Sequence, residues 1–405
     1  MLLNSIGFNP SYNTKHSQNN LSFKAVGVAD LGTHGGANVA IIVNGEGKIE
    51  KGTSLNSADA KLFRADLSKQ WARALKGHEA EPNKLAQCLA GPITDGIWYG
   101  TNVKDSQGNS LAIPVTEIKK DIENEGINVE NFVACNDGAF MGGAALKQIK
   151  EQGRDLNKLF TPGSETPFIF PGGGLGVGYI RGTKDTIDIV TTEKGHLNLN
   201  INENETVEAK LTSVPAMIKN FAEALGLNEK QAGTLASTGM GNIVTQHTIK
   251  LDNEKEAEEI KTLRKTNLFK VQANDNTTTL VLKDIDKEQH NQAFIEASNK
   301  FYDGIGKVVH DYVAGGKTNK AILTGKFVGF ILQHSRDLGE DPIEKIKQAV
   351  DKNSNHVCKN LIKSGLEIIH APVKDGTSGG TMIANSKDDN NGAWFSINRD
   401  ELKNI

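Results

Sequence analysis

Three stretches of the chain put chemically active groups where a backbone can aim them. The first is Asn136-Asp137, which ends the apolar run Phe132-Val-Ala-Cys135 and precedes a helical pattern. That pattern carries Ala139, Gly143, Leu146 and Ile149 on one face and stops at Gly153. A carboxylate at such a handover sits at the carboxyl end of a strand, where open α/β sheets collect their ligands. There it can take the proton of a hydroxyl attacking phosphorus, although either residue can equally serve as the helix cap. The second stretch is Gly172-Gly-Gly-Leu-Gly-Val-Gly178, with five glycines in seven residues. It lacks the last glycine of Gly-x-Gly-x-x-Gly and has no Gly-Lys-Ser/Thr ending, so neither familiar nucleotide loop is present. Apolar strands on both sides, Phe168-Ile-Phe170 and Val177-Gly-Tyr-Ile180, make it a hairpin turn whose bare amides can cradle a phosphate or simply close the hairpin. The third is Glu193-Lys-Gly-His196, in which Gly195 allows both side chains to face one concavity. Two ligands without a third make a weak metal site, and an exposed turn is the plain alternative. A base, bare amides and paired polar side chains are the parts that phosphoryl transfer to a small polyol uses.

Other elements must hold these groups in place. Val26-Gly-Val28 begins a strand that ends at Asp30, and a glycine-bearing loop leads into a second strand, Val39–Val43, and the turn Asn44-Gly-Glu-Gly47. Residues 58–76 predict an amphipathic helix that buries Leu62, Leu67, Trp71 and Leu75. A strand over 84–90 enters Gly91-Pro92, and a helix over 113–125 closes a first domain near residue 133. Ser213 caps a helix carrying Ile218, Phe221 and Leu225, stopped by Gly226. Phe294, Ala297, Phe301, Ile305, Val308 and Tyr312 mark a long core helix. Between them, residues 245–290 are polar and contain a hairpin of Leu268–Val271 with Thr279–Leu282, which predicts a surface insertion. The strand and turn Ala321–Lys326, helices over 327–338 and 343–364, and a strand over 366–369 lead to a glycine turn before Thr381. The charged segment after Ser386 carries no readable signal.

A chain of 405 residues suggests two domains. A net charge of −3 gives no footprint for nucleic acid or an anionic membrane surface. Cys88, Cys135 and Cys358 lack metal-ligand spacing, which points to a reducing, cytoplasmic setting. No apolar run approaches the roughly 20 residues that span a bilayer, and residues 1–22 read as a mobile tail without the pattern of a signal peptide.

Five motifs come in one order: Cys88-Leu-Ala-Gly-Pro-Ile-Thr94, Trp98-Tyr-Gly-Thr-Asn102, Asn136-Asp137, Pro171-Gly-Gly-Gly-Leu-Gly-Val-Gly178 and Glu193-Lys-Gly-His196. Together they resemble the bacterial glucokinases of the hexokinase and actin-like ATPase superfamily, in the zinc-free branch related to ROK sugar kinases. The resemblance covers about residues 26–200 and is loose beyond them. It implies an α/β protein of two ribonuclease-H-like domains flanking a cleft. The small domain would span 23–133 and the large one 134–385, followed by a C-terminal tail at 386–405. The implied reaction is ATP-dependent phosphorylation of the 6-hydroxyl of glucose or a similar hexose, with Mg²⁺ carried as the ATP complex. The resemblance makes Asp137 the general base and gives the sugar to Asn102, Asn136, Glu193 and His196. It gives the nucleotide and its phosphates to Asp30, Gly32, Thr33, Gly172, Gly173, Gly174, Gly176 and Gly325, with Asp30 holding Mg²⁺ through water. A homodimer is compatible with it, and nucleic-acid or membrane partners are not expected.

The chain departs from the family at two places. The first loop either matches at Asp30 and Gly32 with two extra residues, or matches at Gly35-Gly-Ala-Asn38 with Thr33 in place of the acid; the first alignment leaves Asp30 at a strand end. Before the segment Leu235-Ala-Ser-Thr-Gly-Met-Gly241, Ala232 stands where the family carries a sugar-contacting Glu. Both departures favour a second expectation, a sugar-binding regulator that kept the pocket and lost the chemistry. An actin-like or chaperone-type ATPase would leave Thr101-Asn102 and the Glu193/His196 pair unexplained.

Overall fold

The computed structural model describes residues 26–31, 37–43, 46–51, 58–76, 82–192, 211–237, 248–251, 269–274, 277–282, 287–314, 318–353, 365–373, 376–388, 394–400 and 402. The first sheet has strands β1 (Val26–Leu31), β2 (Ala37–Val43), β3 (Glu46–Lys51), β4 (Lys84–Leu89) and β8 (Asn131–Cys135). Their order is β3-β2-β1-β4-β8, with β1 to β3 antiparallel and β1, β4 and β8 parallel. Parallel neighbours need crossovers, and α1 (Ala60–Leu75) and α2 (Val115–Asn124) lie within the two crossovers. A small sheet of β5 (Ile93–Thr94), β6 (Ile97–Lys104) and β7 (Ser110–Pro114) interrupts the second crossover.

The chain then enters α3 (Asp137–Glu151) and α4 (Leu156–Leu159) and builds a second sheet. Its strands β9 (Glu165–Pro171), β10 (Leu175–Gly182) and β11 (Thr186–Thr192) form an antiparallel meander. Helices α5 (Val214–Ala224) and α6 (Glu229–Ser237) follow, then a separate sheet of β12 (Thr248–Leu251), β13 (Phe269–Asn274) and β14 (Thr277–Leu282). After α7 (Lys287–Ala314) come β15 (Lys320–Thr324), α8 (Lys326–Asp337), α9 (Pro342–Asn353), β16 (Glu367–Ala371) and α10 (Thr377–Asn385). The strands β17 (Lys387–Asp388) and β18 (Trp394–Asn398) complete the second sheet in the order β16-β15-β9-β10-β11-β18-β17. Its first five members repeat the plan of the first sheet, an antiparallel three-strand meander extended by two parallel strands. Among the described residues no helix is long and apolar enough to cross a membrane.

Each face of the first sheet has its own core. Ala29, Leu85, Leu89 and Ala134 pack on one side against Phe63, Leu67 and Trp71 of α1 and Ile118 and Ile122 of α2. Trp71 Nε1 donates to Gln87 Oε1 at 2.8 Å, so the one polar side chain β4 buries on this side is satisfied. Val26, Val28, Ala86 and Val133 pack on the other side against α3 and α10, whose far surfaces meet Phe168, Ile180, Ile189 and Phe395 of the second sheet. The crossing of α3 with α10 is close because glycines face each other: a Cβ on Gly143 would stand 2.8 Å from the carbonyl oxygen of Gly379. Trapped between two sheets, these helices join their cores.

Several expectations need correction. Leu62 is 60% exposed, and its neighbour Phe63 faces the core instead. Ile113 belongs to β7, because Pro114 ends that strand and α2 starts only at Val115. The boundary drawn at residue 133 falls inside β8, which runs to Cys135 as part of the first sheet. The segment after Ser386 is not a signal-free tail: β18 pairs with β11, Phe395 and Ile397 are buried, and Arg399 donates to the carbonyls of Thr183 and Phe160.

Candidate active site

Asp30, Cys88 and Cys135 form one row across β1, β4 and β8, each the in-register partner of the next. In-register neighbours leave a sheet on the same face, here the face beneath α3 and α10. Asp137 follows Cys135 by two residues and opens α3. Burial, reinforced by the charges of Asp30 and Asp137 and by a hydrogen bond with Asp30, pushes the Cys88 thiol well above its ordinary pKa. Two carboxylates that are 107 positions apart in the sequence therefore act on one buried thiol.

Of the pair Asn136-Asp137, one residue is the cap. Asn136 is the cap: it is 7% exposed and its Oδ1 accepts from the Ala139 N–H at 3.3 Å. That oxygen is therefore committed within the protein. Asp137 is the exposed first residue of the helix, where the helix dipole favours an anion.

The first turn of α3 is also where the other strand ends meet. A Cβ on Gly138 would lie 3.5 Å from the Phe170 ring of β9 and 3.7 Å from Thr191 of β11. Met141 Cε lies 3.5 Å from the Cβ position of Gly325, which precedes α8, and its Sδ lies 3.6 Å from that of Gly376, which precedes α10. Gly376 in turn stands 3.9 Å from Asp30 Oδ2 on the same measure. Neither α8 nor α10 has a side-chain cap, and in α10 the Gly379 N–H donates back to Gly376 O at 3.0 Å. Gly325 takes φ +102°, a conformation that suits glycine.

The glycine turn divides into two kinds of residue. Gly172 and Gly173 have ordinary φ, and a Cβ on either would meet nothing within 4 Å. Neither conformation nor packing requires glycine there, so the bare backbone is turned to open space. The Gly172 N–H donates to Gly174 O at 2.7 Å, and Gly172 O accepts from the Val214 N–H at 2.7 Å, which anchors the turn to the start of α5. Gly176 has a packing task, because a Cβ there would enter the Phe170 ring, and Gly178 makes the same room for Phe168. Gly176 thus has a structural reason that the phosphate reading did not foresee.

Asn102 lies in β6, and of this position only the backbone is described. Gly32, Thr33, Glu193 and His196 lie outside the described residues, as do the last residues of the segment from Leu235 to Gly241; its first three belong to α6. Ala232, at the place of the family's Glu, is fully buried. Sequence reasoning missed the contacts of Cys88 and the start of α10. The run Gly376-Thr-Ser-Gly-Gly380 was the available signal for the latter.

The residues present fit a polyphosphate. Gly172 and Gly173 offer an unfilled cradle, the Cβ position of Gly325 before α8 lies 3.9 Å from the carbonyl oxygen of the preceding Pro171, and Thr324 beside Gly325 buries a hydroxyl with no hydrogen-bond partner among the described residues. Among the described residues no three His, Cys, Asp or Glu side chains gather as a metal site.

No protein-family model matches the chain, and no curated protein matches its sequence. Solved structures do match. A putative sugar kinase from Cytophaga hutchinsonii is 14% identical over 88% of this chain and 98% of that one, with a TM-score of 0.54. A ROK family glucokinase from Streptomyces griseus, solved with glucose and AMPPNP, is 14% identical over 88% and 97%, with a TM-score of 0.50. A ROK family transcriptional regulator, a homolog of the E. coli MLC protein, is 13% identical over 89% and 77%, with a TM-score of 0.51. The chain thus has a mixed α/β fold like that of these sugar kinases and of the ROK family transcriptional regulator. Fold alone does not choose between catalysis and regulation.

Proposed function

We propose that the protein is an ATP-dependent sugar kinase acting on the 6-hydroxyl of glucose or a similar hexose, in a cleft between two ribonuclease-H-like halves. The observation that supports this reading is that Asp30 and the exposed Asp137 act on one buried thiol, while Gly325 and Gly376, before α8 and α10, both approach Met141 of α3 and Gly325 also approaches Pro171, next to the open Gly172-Gly173 turn. MgATP supplies the phosphoryl group. Asp137 accepts the proton of the sugar hydroxyl as that oxygen bonds to the γ-phosphorus and the bond to the ADP oxygen breaks. Asp30 stands at the carboxyl end of β1 to hold Mg²⁺ through water. Gly172, Gly173, Gly174 and Gly325, together with Gly32 and Thr33 of the first loop, serve the phosphates and nucleotide; Gly176 serves them only through its backbone. Asn102, Glu193 and His196 orient the sugar, and Asn136 contributes mainly by fixing the helix start that carries Asp137. Closure around the sugar would exclude water as a competing acceptor.

A second reading is a sugar-binding regulator with weakened catalysis, favoured by the buried, apolar Ala232 where a sugar-contacting carboxylate is expected. The test is ADP release from MgATP across glucose, mannose, fructose and their N-acetylamino forms. Sugar-dependent release that falls by about 10²–10⁴ in Asp137→Ala, with sugar affinity largely kept, supports the kinase. Tight sugar binding by calorimetry without release supports the regulator. An active Asp137→Ala protein removes the base assignment.

A further inference from the structure

A peptide unit between two glycines can turn either way round, because glycine accepts φ of either sign. The turn Gly172–Gly174 between β9 and β10 contains such units, and packing does not choose between their orientations: a Cβ on Gly172 or Gly173 would meet nothing within 4 Å. One contact does choose. The Val214 N–H donates to Gly172 O at 2.7 Å, and among the described residues this is the turn's one hydrogen bond to anything outside its own hairpin. The donor is itself well held. Val214 is the first residue of α5, Ser213 caps that helix by accepting from the Ala216 N–H at 3.2 Å, and the Met217 N–H closes the first helical turn on Ser213 O at 2.9 Å.

In a planar trans peptide unit the C=O and the N–H point in opposite directions. Gly172 O and the Gly173 N–H belong to one unit, so holding the oxygen toward α5 aims that N–H away from α5. Gly173 is exposed, and its N–H has no hydrogen-bond partner among the described residues. We propose that Val214 is a positioning residue: its backbone N–H locks the Gly172–Gly173 peptide unit so that the Gly173 N–H is presented to a phosphate oxygen of a bound nucleoside triphosphate. The use of that amide rests on the phosphate role proposed above for the turn; the lock itself does not. A donor set in advance need not be ordered at the moment of binding, which strengthens the hold on the phosphates alone. The Val214 side chain, partly buried against the core that α5 shares with α7, is not part of the lock.

The test compares the affinities of MgAMPPNP and AMP by calorimetry, since the two share the adenosine and differ in the outer phosphates. Three proteins join the wild type. Val214→Ala keeps the N–H and removes the side chain. An ester in place of the amide between Ser213 and Val214 removes the N–H and adds no bulk. Val214→Pro removes the N–H at a helix position that tolerates proline, and its ring displaces Gly172 O. The ester should weaken MgAMPPNP by about three- to tenfold, the effect of losing one modest hydrogen bond, with AMP affinity kept within about twofold. Val214→Pro should weaken MgAMPPNP at least as much, and Val214→Ala should match the wild type within about twofold for both ligands. The ester decides alone if the proline variant does not fold. A merely structural contact would weaken both ligands alike, and that result, or unchanged MgAMPPNP affinity in the ester, overturns the positioning role. A wild type that binds MgAMPPNP no more tightly than AMP overturns it as well. Absence of sugar-dependent ADP release from the wild type defeats the kinase reading alone, and the split between the two ligands still decides for or against the lock.

Discussion

Asn136 is buried as the cap of α3 while its neighbour Asp137 is exposed, and the glycine turn shows a similar split. Gly178 has no room for a side chain, because a Cβ would enter the Phe168 ring in the second core. Gly178→Ala should cost about 1–3 kcal/mol, read as a lower urea midpoint with unchanged slope. Gly173 has open space around it, so Gly173→Ala should leave the midpoint within about 0.5 kcal/mol of the wild type. If the bare amides of this turn meet phosphate, the same substitution should raise the ATP KM several-fold while the sugar KM stays put. Equal ATP affinity in both proteins would return the turn to the role of a plain hairpin. The cap can be tested in the same way: Asn136→Ala should cost about 1 kcal/mol, because the Ala139 N–H loses its side-chain partner.

At the level of elements, the two helices between the sheets depend on absent side chains. A Cβ on Gly379 would collide with the Phe140 carbonyl oxygen, and one on Gly380 would strike Val28. Gly379→Ala should therefore push α10 off α3 and lower stability by about 1–3 kcal/mol, despite alanine's better helix propensity, and urea denaturation would show it. A stabilised variant would mean that the crossing is looser than described. Such contacts explain what the sequence could and could not disclose. Helices with a steady apolar period were legible: α3 with its Gly153 stop, α5 with its Ser213 cap, and α7 with Phe294 to Tyr312. Leu62 misled because it and Phe63 are adjacent apolar residues, and only one of the two directions faces the sheet. The strand Trp394–Asn398 carried its own alternation, with Phe395 and Ile397 buried. Its partner β11 lies some 200 residues earlier, with Thr186 opposite Asn398, and no local pattern announces such a pairing. The site followed the same rule. Asp30, Asp137, the glycine turn and Gly325 each stand at a strand end that the sequence marks. The approach of Gly325 and Gly376 to Met141, that of Gly376 to Asp30, and the row from Asp30 to Cys135 exist only once two sheets and two helices are packed.

At the scale of the whole molecule, both sheets extend a three-strand meander by two parallel strands, and α3 and α10 join their cores, so a disturbance at one sheet's edge reaches the common stability. The edge strand β16 contains the group by which pH can do this. His370 is held down to about 4 by burial first and by the nearby Arg336 second, and its Nε2 has no hydrogen-bond partner among the described residues. His334 on α8 is shifted down by burial as well. A histidine neutral in the fold and ordinary in the unfolded chain binds fewer protons folded than unfolded between pH 6.5 and about 4. Its contribution to stability is thus fully present above 6.5 and is lost as the pH falls through that window. After allowance for partial exposure, the loss between pH 7.5 and 5 should be about 1–2 kcal/mol from His370. His370→Gln, which cannot take a proton, should shed that part of the acid sensitivity. Paired urea titrations at the two pH values read it directly, since the wild type should lose more stability on acidification than the variant. Equal losses would show that His370 titrates normally, and that β16 opens to solvent well before the sheets it borders come apart.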